Sequence, residues 1–234
     1  MRPRTRRAVR AISLVVATAL AVGVAATSWW ARRPATLEQL DDYGVVPEFG
    51  LTEQSGRRIT REDLRGLVWV ADFIYTECRE TCPIQSLEFA QLQREFAGTA
   101  DVRLVSITVD PTHDTPEVLR RYAQRYGASE RWWFLTGNKR DIYCLAQEGF
   151  RLSVADPAAP SAPACGRAWR LSPAQAWASH GSGGLVMHSA RVVLVDRTAR
   201  IRAYHPAVEP ESMTRLRTNL RALLAELPSS GGRR

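Results

Sequence analysis

The segment Leu67–Tyr75, with the sequence LVWVADFIY, is apolar or aromatic at every position except Asp72. A strand with one face in water alternates polar and apolar residues, whereas a strand covered on both faces is apolar almost throughout. The segment therefore predicts a central strand in a sheet that has helices on both sides. Val102–Val109 (VRLVSITV), which is rich in β-branched residues, predicts a second buried strand.

Around these two segments the pattern alternates between strand-like and helix-like stretches. Residues 48–57 are typical of a short hairpin, and strands are predicted at 132–135, 191–195 and 201–204. Helices are predicted at 84–96, 115–126, 138–147 and 210–227. The apolar stripe of the first consists of Ile84, Leu87, Leu92 and Phe96. This order predicts an α/β domain with a thioredoxin-like fold, in which helices flank a mixed central sheet.

The formal net charge of +8 comes from the two ends of the chain. Residues 1–33 contain seven arginines and no acidic residue, whereas residues 34–232 carry a net charge of about −1. A phosphate-binding surface needs clustered basic residues in the folded domain. The charge distribution therefore predicts no nucleic-acid partner.

The basic leader precedes an uncharged stretch, Ala11–Ala31, that ends in Trp29 and Trp30 just before Arg32. As a helix this stretch would rise about 31 Å, enough to cross the hydrocarbon core of a bilayer. Positive residues favour the cytoplasmic side, and indole rings favour the lipid–water boundary. We expect one transmembrane helix in the bacterial inner (cytoplasmic) membrane and a soluble domain on the periplasmic side. A cleaved signal peptide is the alternative.

Beyond this leader and anchor (1–33), residues 34–43 form a polar tether in our interpretation. The folded domain is expected to span 44–228, followed by a disordered tail at 229–234. Residues 153–184 contain four prolines and no clear period, which predicts an insertion within the domain.

Cys78 and Cys82 follow the predicted central strand directly, and Pro83 comes next. Residues four apart on a helix share a face, so the two sulfurs can converge. Unpaired N–H groups at a helix start favour thiolate, which predicts a lowered thiol pKa. Such thiolates either bind a soft metal ion or exchange with a disulfide. The alternative to a functional site is a structural disulfide or two inert thiols in the core.

His188 stands at the start of a predicted strand, and in a thioredoxin-like sheet that strand end can approach the cysteine loop. Two thiolates and one imidazole suit Cu(I) and Cu(II), whereas zinc usually takes a fourth ligand. His113, His180 and His205 are expected to be solvated loop residues.

Cys144 and Cys165 remain outside this candidate site. In an oxidising compartment they either form a disulfide that pins the insertion or stay separate, since their geometry cannot be read from sequence. Asp110, Asp114 and Thr115 lie between a strand and a helix, where they either face the cysteine loop or form the turn. The Thr-Pro-Glu sequence favours the turn and a helix cap.

Three blocks of sequence resemble the Sco/SenC family, and they occur in the right order. They are Phe73-x-Tyr75-Thr76-x-Cys78-x-x-x-Cys82-Pro83, the stretch from Ser106 to Glu117 (SITVDPTHDTPE), and His188-Ser189 leading to Val193–Asp196. The resemblance implies a thioredoxin fold and one copper ion bound by Cys78, Cys82 and His188. It also implies a role in building the CuA centre of cytochrome c oxidase, with subunit II as copper acceptor and an upstream donor protein.

A copper chaperone, which is a carrier rather than an enzyme, is therefore the first hypothesis. The alternative is a thiol-disulfide reductase in which Cys78 and Cys82 reduce the cysteines of the copper acceptor. A peroxide-reducing enzyme is a weaker third hypothesis, because no activating arginine and threonine can be placed beside a cysteine.

Overall fold

The computed structural model describes residues 40–155, 165, 187–188 and 190–226. Within these residues nine strands and four α-helices form the domain. The strands are β1 (Gly50–Glu53), β2 (Arg58–Thr60), β3 (Val68–Ile74), β4 (Val102–Thr108), β5 (Trp132–Thr136), β6 (Val154–Ala155), β7 (Met187–His188), β8 (Arg191–Val195) and β9 (Ile201–Pro206). The helices are α1 (Thr81–Glu95), α2 (Pro116–Arg125), α3 (Lys139–Cys144) and α4 (Pro210–Ala225), with a 3-10 turn at Arg61–Leu64 and a π-helical turn at Leu145–Gly149.

Seven strands form one mixed sheet in the order β2-β1-β5-β4-β3-β8-β9. Strands β3, β4 and β5 run parallel, while β8 is antiparallel to β3 and β1 is antiparallel to β5. All seven residues of β3 are buried, as the apolar run predicts. The prediction of a mixed sheet around a buried central strand is thus confirmed.

Helices cover both faces of this sheet. On one face, Phe89 of α1 packs against Trp132 of β5, with ring centroids 5.6 Å apart. On the other face, Phe150, which follows the π-helical turn, makes edge contacts with Trp69 and Phe73 of β3 at 5.9 and 5.3 Å. The apolar residues that alternate along each buried strand therefore supply two separate layers of core packing.

Helix α1 differs from its prediction at both its start and its buried face. It begins at Thr81 rather than Ile84, so that Cys82 lies inside its first turn. Two members of the predicted apolar stripe, Leu92 and Phe96, are buried, whereas Ile84 and Leu87 are 45% and 56% exposed. The core instead receives the face that carries Cys82 and Phe89, because residues seven apart lie on the same side of a helix.

The predicted membrane helix, the tail, and most of the insertion lie outside the described residues. Among the residues that are described, no helix is both long and apolar enough to cross a membrane. The last part of the predicted tether contacts the domain: the Tyr43 amide donates to the Ile201 carbonyl at 3.0 Å, and its ring lies 4.9 Å from that of Tyr204.

Candidate metal centre

Cys78 and Cys82 meet at the junction between the end of β3 and the start of α1. The Cys78 amide donates to the Tyr75 carbonyl at 3.2 Å, which closes a turn directly after the strand. The Cys82 amide, in the first turn of α1, donates to the Cys78 sulfur at 3.4 Å. Cys78 precedes the helix, so the expectation that one helix face carries both sulfurs is wrong. The turn and the helix start together bring them into contact.

Both residues are thiols, and both are buried. Cys78 is 8% exposed and Cys82 is 0% exposed, so a partner molecule reaches Cys78 first. Burial raises the pKa of Cys82 strongly, and its hydrogen bond with Cys78 and the charge of that residue act in the same direction. The expected lowering of the pKa is therefore wrong for Cys82. Loss of water around the thiol outweighs the field of the helix start.

Tyr75 forms part of the wall around the two sulfurs. Its side chain is 6% exposed, and burial is the main cause of a raised pKa, followed by the charge of Cys78 and a hydrogen bond with it. The phenol therefore stays protonated and can donate to the Cys78 sulfur. Solvent access to the pair is restricted on this side.

His188 lies in β7, where its backbone pairs with Val154 of β6. Its imidazole is outside the described part of the chain. The register of β8 against β3 pairs Ala71 with Val193, and the two strands run antiparallel. The chain just before Arg191, the first residue of β8, therefore belongs to the end of β3 from which the cysteine loop leaves. Among the described side chains, no three His, Cys, Asp or Glu residues form a group that could hold a metal ion.

The other histidines differ from one another in burial. His113 is exposed as expected, and its Nδ1 lies 2.7 Å from Asp110, whose hydrogen bond and charge raise the pKa of His113. His205 is only 4% exposed in β9, so the expectation of a solvated loop residue is wrong for it. Burial, with a contribution from Arg215, lowers the pKa of His205 to about 4. His180 lies outside the described residues.

The turn before α2 serves two purposes. Thr115 caps the helix, as predicted, because its hydroxyl accepts from the Val118 amide at 3.4 Å. Asp114 is 1% exposed, and its carboxylate accepts hydrogen bonds from Thr76 in the cysteine loop. The alternative that this cluster faces the cysteine loop therefore holds for Asp114, and the turn and cap hold for Thr115. The local pattern favours only the turn, because it carries no information about a partner 38 positions away.

The second cysteine pair forms a disulfide. Cys144, the last residue of α3, is joined to Cys165, and their Cα atoms are 5.7 Å apart. The bond closes a loop with a sequence separation of 21 residues. Cys165 is thereby held at the C-terminal end of α3.

The order of strands and helices, together with a thiol pair at the strand–helix junction, defines a thioredoxin-like α/β protein with a dithiol site. The model of the SCO1/SenC family matches residues 38–224, which is most of the chain. The protein therefore belongs to the SCO1/SenC family.

Individual relatives agree with this assignment. The SCO1 protein homolog of Bacillus subtilis is 38% identical over 119 residues, which cover 50% of this chain and 61% of the relative. The chain thus spans less than two thirds of that relative's length.

Solved structures of the family share the fold. BsSco, described as a Sco-family cytochrome c oxidase assembly protein with a disulfide switch, superposes with a TM-score of 0.60 at 26% identity, covering 79% of this chain and 96% of that one. ScoI of Bradyrhizobium japonicum with copper bound gives a TM-score of 0.56 at 21% identity, covering 77% and 99%. The likeness to ScoI concerns the fold alone.

Proposed function

We propose that this protein is a copper carrier that binds one copper ion through Cys78, Cys82 and His188. In this proposal it delivers the ion to the CuA centre of cytochrome c oxidase, in subunit II. The observation that carries the proposal is the contact between two buried thiols at the strand–helix junction, where the Cys82 amide donates to the Cys78 sulfur.

The chemistry of these donors fits copper. Thiolates are soft ligands that favour Cu(I), and an imidazole extends the site to Cu(II). Because burial keeps Cys82 protonated, a metal ion must displace its proton on binding. Hard cations such as Mg²⁺ and Ca²⁺ prefer oxygen ligands, which the two thiols do not provide.

The third ligand is supported by strand register rather than by a measured contact. Only two residues separate His188 from Arg191, the first residue of β8, and β8 pairs antiparallel with the strand that leads into the cysteine loop. A short connection of this kind is consistent with an imidazole that reaches the two sulfurs.

Delivery is expected to proceed by ligand exchange. Cys78 is the more exposed of the two sulfurs, so an acceptor thiolate would replace Cys78 first and Cys82 second. The predicted transmembrane helix at 11–31 would hold the carrier in the inner membrane, with the domain on the periplasmic side beside its membrane-bound acceptor. A protease added to spheroplasts should degrade the domain, whereas a domain protected until lysis would contradict this orientation.

The ligand set is tested on the purified full chain by titration with Cu(I) and Cu(II). We expect one copper ion per chain, and His188→Ala should weaken Cu(II) binding severely while the count of reactive thiols stays the same. His113→Ala is the matched control, because His113 is exposed and pairs with Asp110. If His188→Ala retained Cu(II) as tightly as His113→Ala, the three-ligand site would be wrong.

A second function, thiol-disulfide reduction, is favoured by the unequal burial of the pair. The Cys78 thiolate would attack an acceptor disulfide, form a mixed disulfide and release one acceptor thiolate. Cys82 would then attack the Cys78 sulfur and release the second acceptor thiol. Two electrons and two protons thus pass to the acceptor, and this chain is left with a Cys78–Cys82 disulfide.

The two functions separate in one pair of measurements. Reduction of an oxidised CuA-domain peptide should survive His188→Ala, because thiol exchange needs no imidazole, whereas Cu(II) binding should not. A variant that loses both activities would argue that His188 supports the fold of the site.

A further inference from the structure

The carboxylate of Asp114 is buried against the loop that carries Cys78. One of its oxygens accepts from the Thr76 amide at 3.1 Å, and the other accepts from the Thr76 hydroxyl. The Thr108 hydroxyl, at the end of β4, also donates to this carboxylate. Thr76 lies two residues before Cys78, so the carboxylate holds both the backbone and the side chain of the loop at its origin.

The position of Asp114 is itself fixed by its own turn. Its amide donates to the Asp110 carbonyl at 2.9 Å, and the Asp110 amide donates to the Thr108 hydroxyl at 3.0 Å. The next residue, Thr115, caps α2. The carboxylate is therefore attached to the end of a buried strand and to the start of a helix, which are rigid parts of the domain.

A purely local role does not account for this arrangement. A turn or a cap is satisfied by bonds within a few residues, as the Thr115 cap is. Burying a carboxylate is unfavourable unless it is well hydrogen-bonded, and burial is the main cause of the raised pKa of Asp114. Two of its bonds go to a residue 38 positions away, in the cysteine loop.

We propose that Asp114 is a positioning residue for the dithiol site: by holding Thr76, it fixes the turn that presents the Cys78 sulfur to Cys82. The role of this geometry in copper binding rests on the proposed function. The effect on the thiols themselves does not, because the contact between Cys78 and Cys82 is made by groups of this chain alone.

The metal-free test measures how fast iodoacetamide alkylates Cys78 in the reduced full chain, with the modified peptide identified by mass spectrometry. Cys78 is 8% exposed, so its reaction reports opening of the loop. Asp114→Asn and Thr76→Val should each accelerate alkylation about tenfold, a size typical of coupling within one hydrogen-bond network. Thr76→Ser keeps the hydroxyl and should react at the rate of the unaltered protein.

Two features of the design exclude a merely structural effect. Thr115→Ala removes the cap of α2 in the same turn but leaves the bonds to Thr76, so it should lose stability without accelerating alkylation. Asp114→Asn and Thr76→Val should also be non-additive in the double variant, since each breaks the same contact. If Asp114→Asn fails to fold, the pair Thr76→Val and Thr76→Ser gives the same answer.

The copper test uses Cu(I) alone, in competition with a chromophoric Cu(I) chelator. Asp114→Asn and Thr76→Val should weaken Cu(I) binding about 10- to 100-fold, the usual effect of losing an outer-shell partner. An alkylation rate unchanged in both variants, or raised equally by Thr115→Ala, would overturn the positioning role. Absence of Cu(I) binding in the unaltered protein would instead refute the proposed function, while the alkylation result still decides the role of Asp114.

Discussion

The two cysteine pairs of this chain consist of the same residue type, but the folded protein holds one pair as thiols and the other as a disulfide. Cys78 and Cys82 are four residues apart, buried, and present as thiols. Cys144 and Cys165 are 21 residues apart and joined as a disulfide. The first pair lies at the end of a central strand under helix α1, and the second fastens a helix end to a residue outside the regular elements.

This difference shows that the surroundings of a cysteine in the fold decide whether it stays a thiol or becomes part of a structural disulfide. The thiol pair sits where the scaffold on each side is rigid and where burial suppresses ionisation of Cys82. The disulfide closes a loop with a sequence separation of 21 residues, so its value is mainly a smaller entropy of the unfolded chain. One pair is therefore expected to govern metal binding and the other to govern stability.

The largest effect is expected from Cys82→Ser. A serine hydroxyl is a hard, weak ligand for Cu(I), so affinity should fall about 1,000-fold or more, which is about 4 kcal/mol of binding free energy. Competition with a Cu(I) chelator measures this. The matched control is Cys144→Ser/Cys165→Ser, which should keep its Cu(I) affinity; an equal loss in both variants would abolish the distinction between the two pairs.

Removing the disulfide should cost stability. For a loop of this length the chain-entropy model gives about 3 kcal/mol of unfolding free energy. Urea denaturation of Cys144→Ser/Cys165→Ser compared with the unaltered protein measures it. Dithiothreitol should destabilise the unaltered protein by the same amount and leave the variant unchanged; a variant as stable as its parent would show that the bond restrains nothing.

Acid should weaken the scaffold through the buried histidine His205. The pKa of His205 is about 4 in the folded state, below its ordinary value of 6.5, so the unfolded chain binds more protons between these values. Stability from this group is present above pH 6.5 and is lost as the pH falls, by about 2 kcal/mol between pH 7 and pH 5.

His205→Gln should flatten that dependence, as measured by urea denaturation at several pH values. The positive charge of Arg215 adds to the effect, and the neighbouring Ser212 and Asn219 are uncharged. His113→Ala, at an exposed histidine, is the control and should leave the acid sensitivity in place. An unchanged slope in His205→Gln would mean that another group is responsible.

The smallest effect is expected beside the thiol pair, on the outer face of α1. Ile84 and Leu87 are 45% and 56% exposed, so Ile84→Ala and Leu87→Ala should change stability by no more than about 0.5 kcal/mol. Phe89→Ala, on the buried face of the same helix, should cost several kcal/mol. A large loss at Leu87 in thermal unfolding would show that this face is covered.

Much of the fold could be predicted from sequence, because buried strands and helix caps have local patterns. The run from Leu67 to Tyr75 predicts β3 nearly to the residue, and Thr115 predicts the start of α2. The buried face of α1 was predicted only in part: Leu92 and Phe96 are buried, whereas Ile84 and Leu87 are apolar but point away from the sheet. His205 was missed because a histidine beside a proline resembles a loop, whereas β9 carries it under α4.

The sequence by itself determined the class of fold, the CxxxCP motif and the family, since these depend on residue types at short spacing. Tertiary structure alone decided that burial raises the pKa of Cys82 and that Asp114 holds Thr76. Both facts depend on which distant residues surround a group and exclude water from it. That information is created only when separate strands and helices pack together.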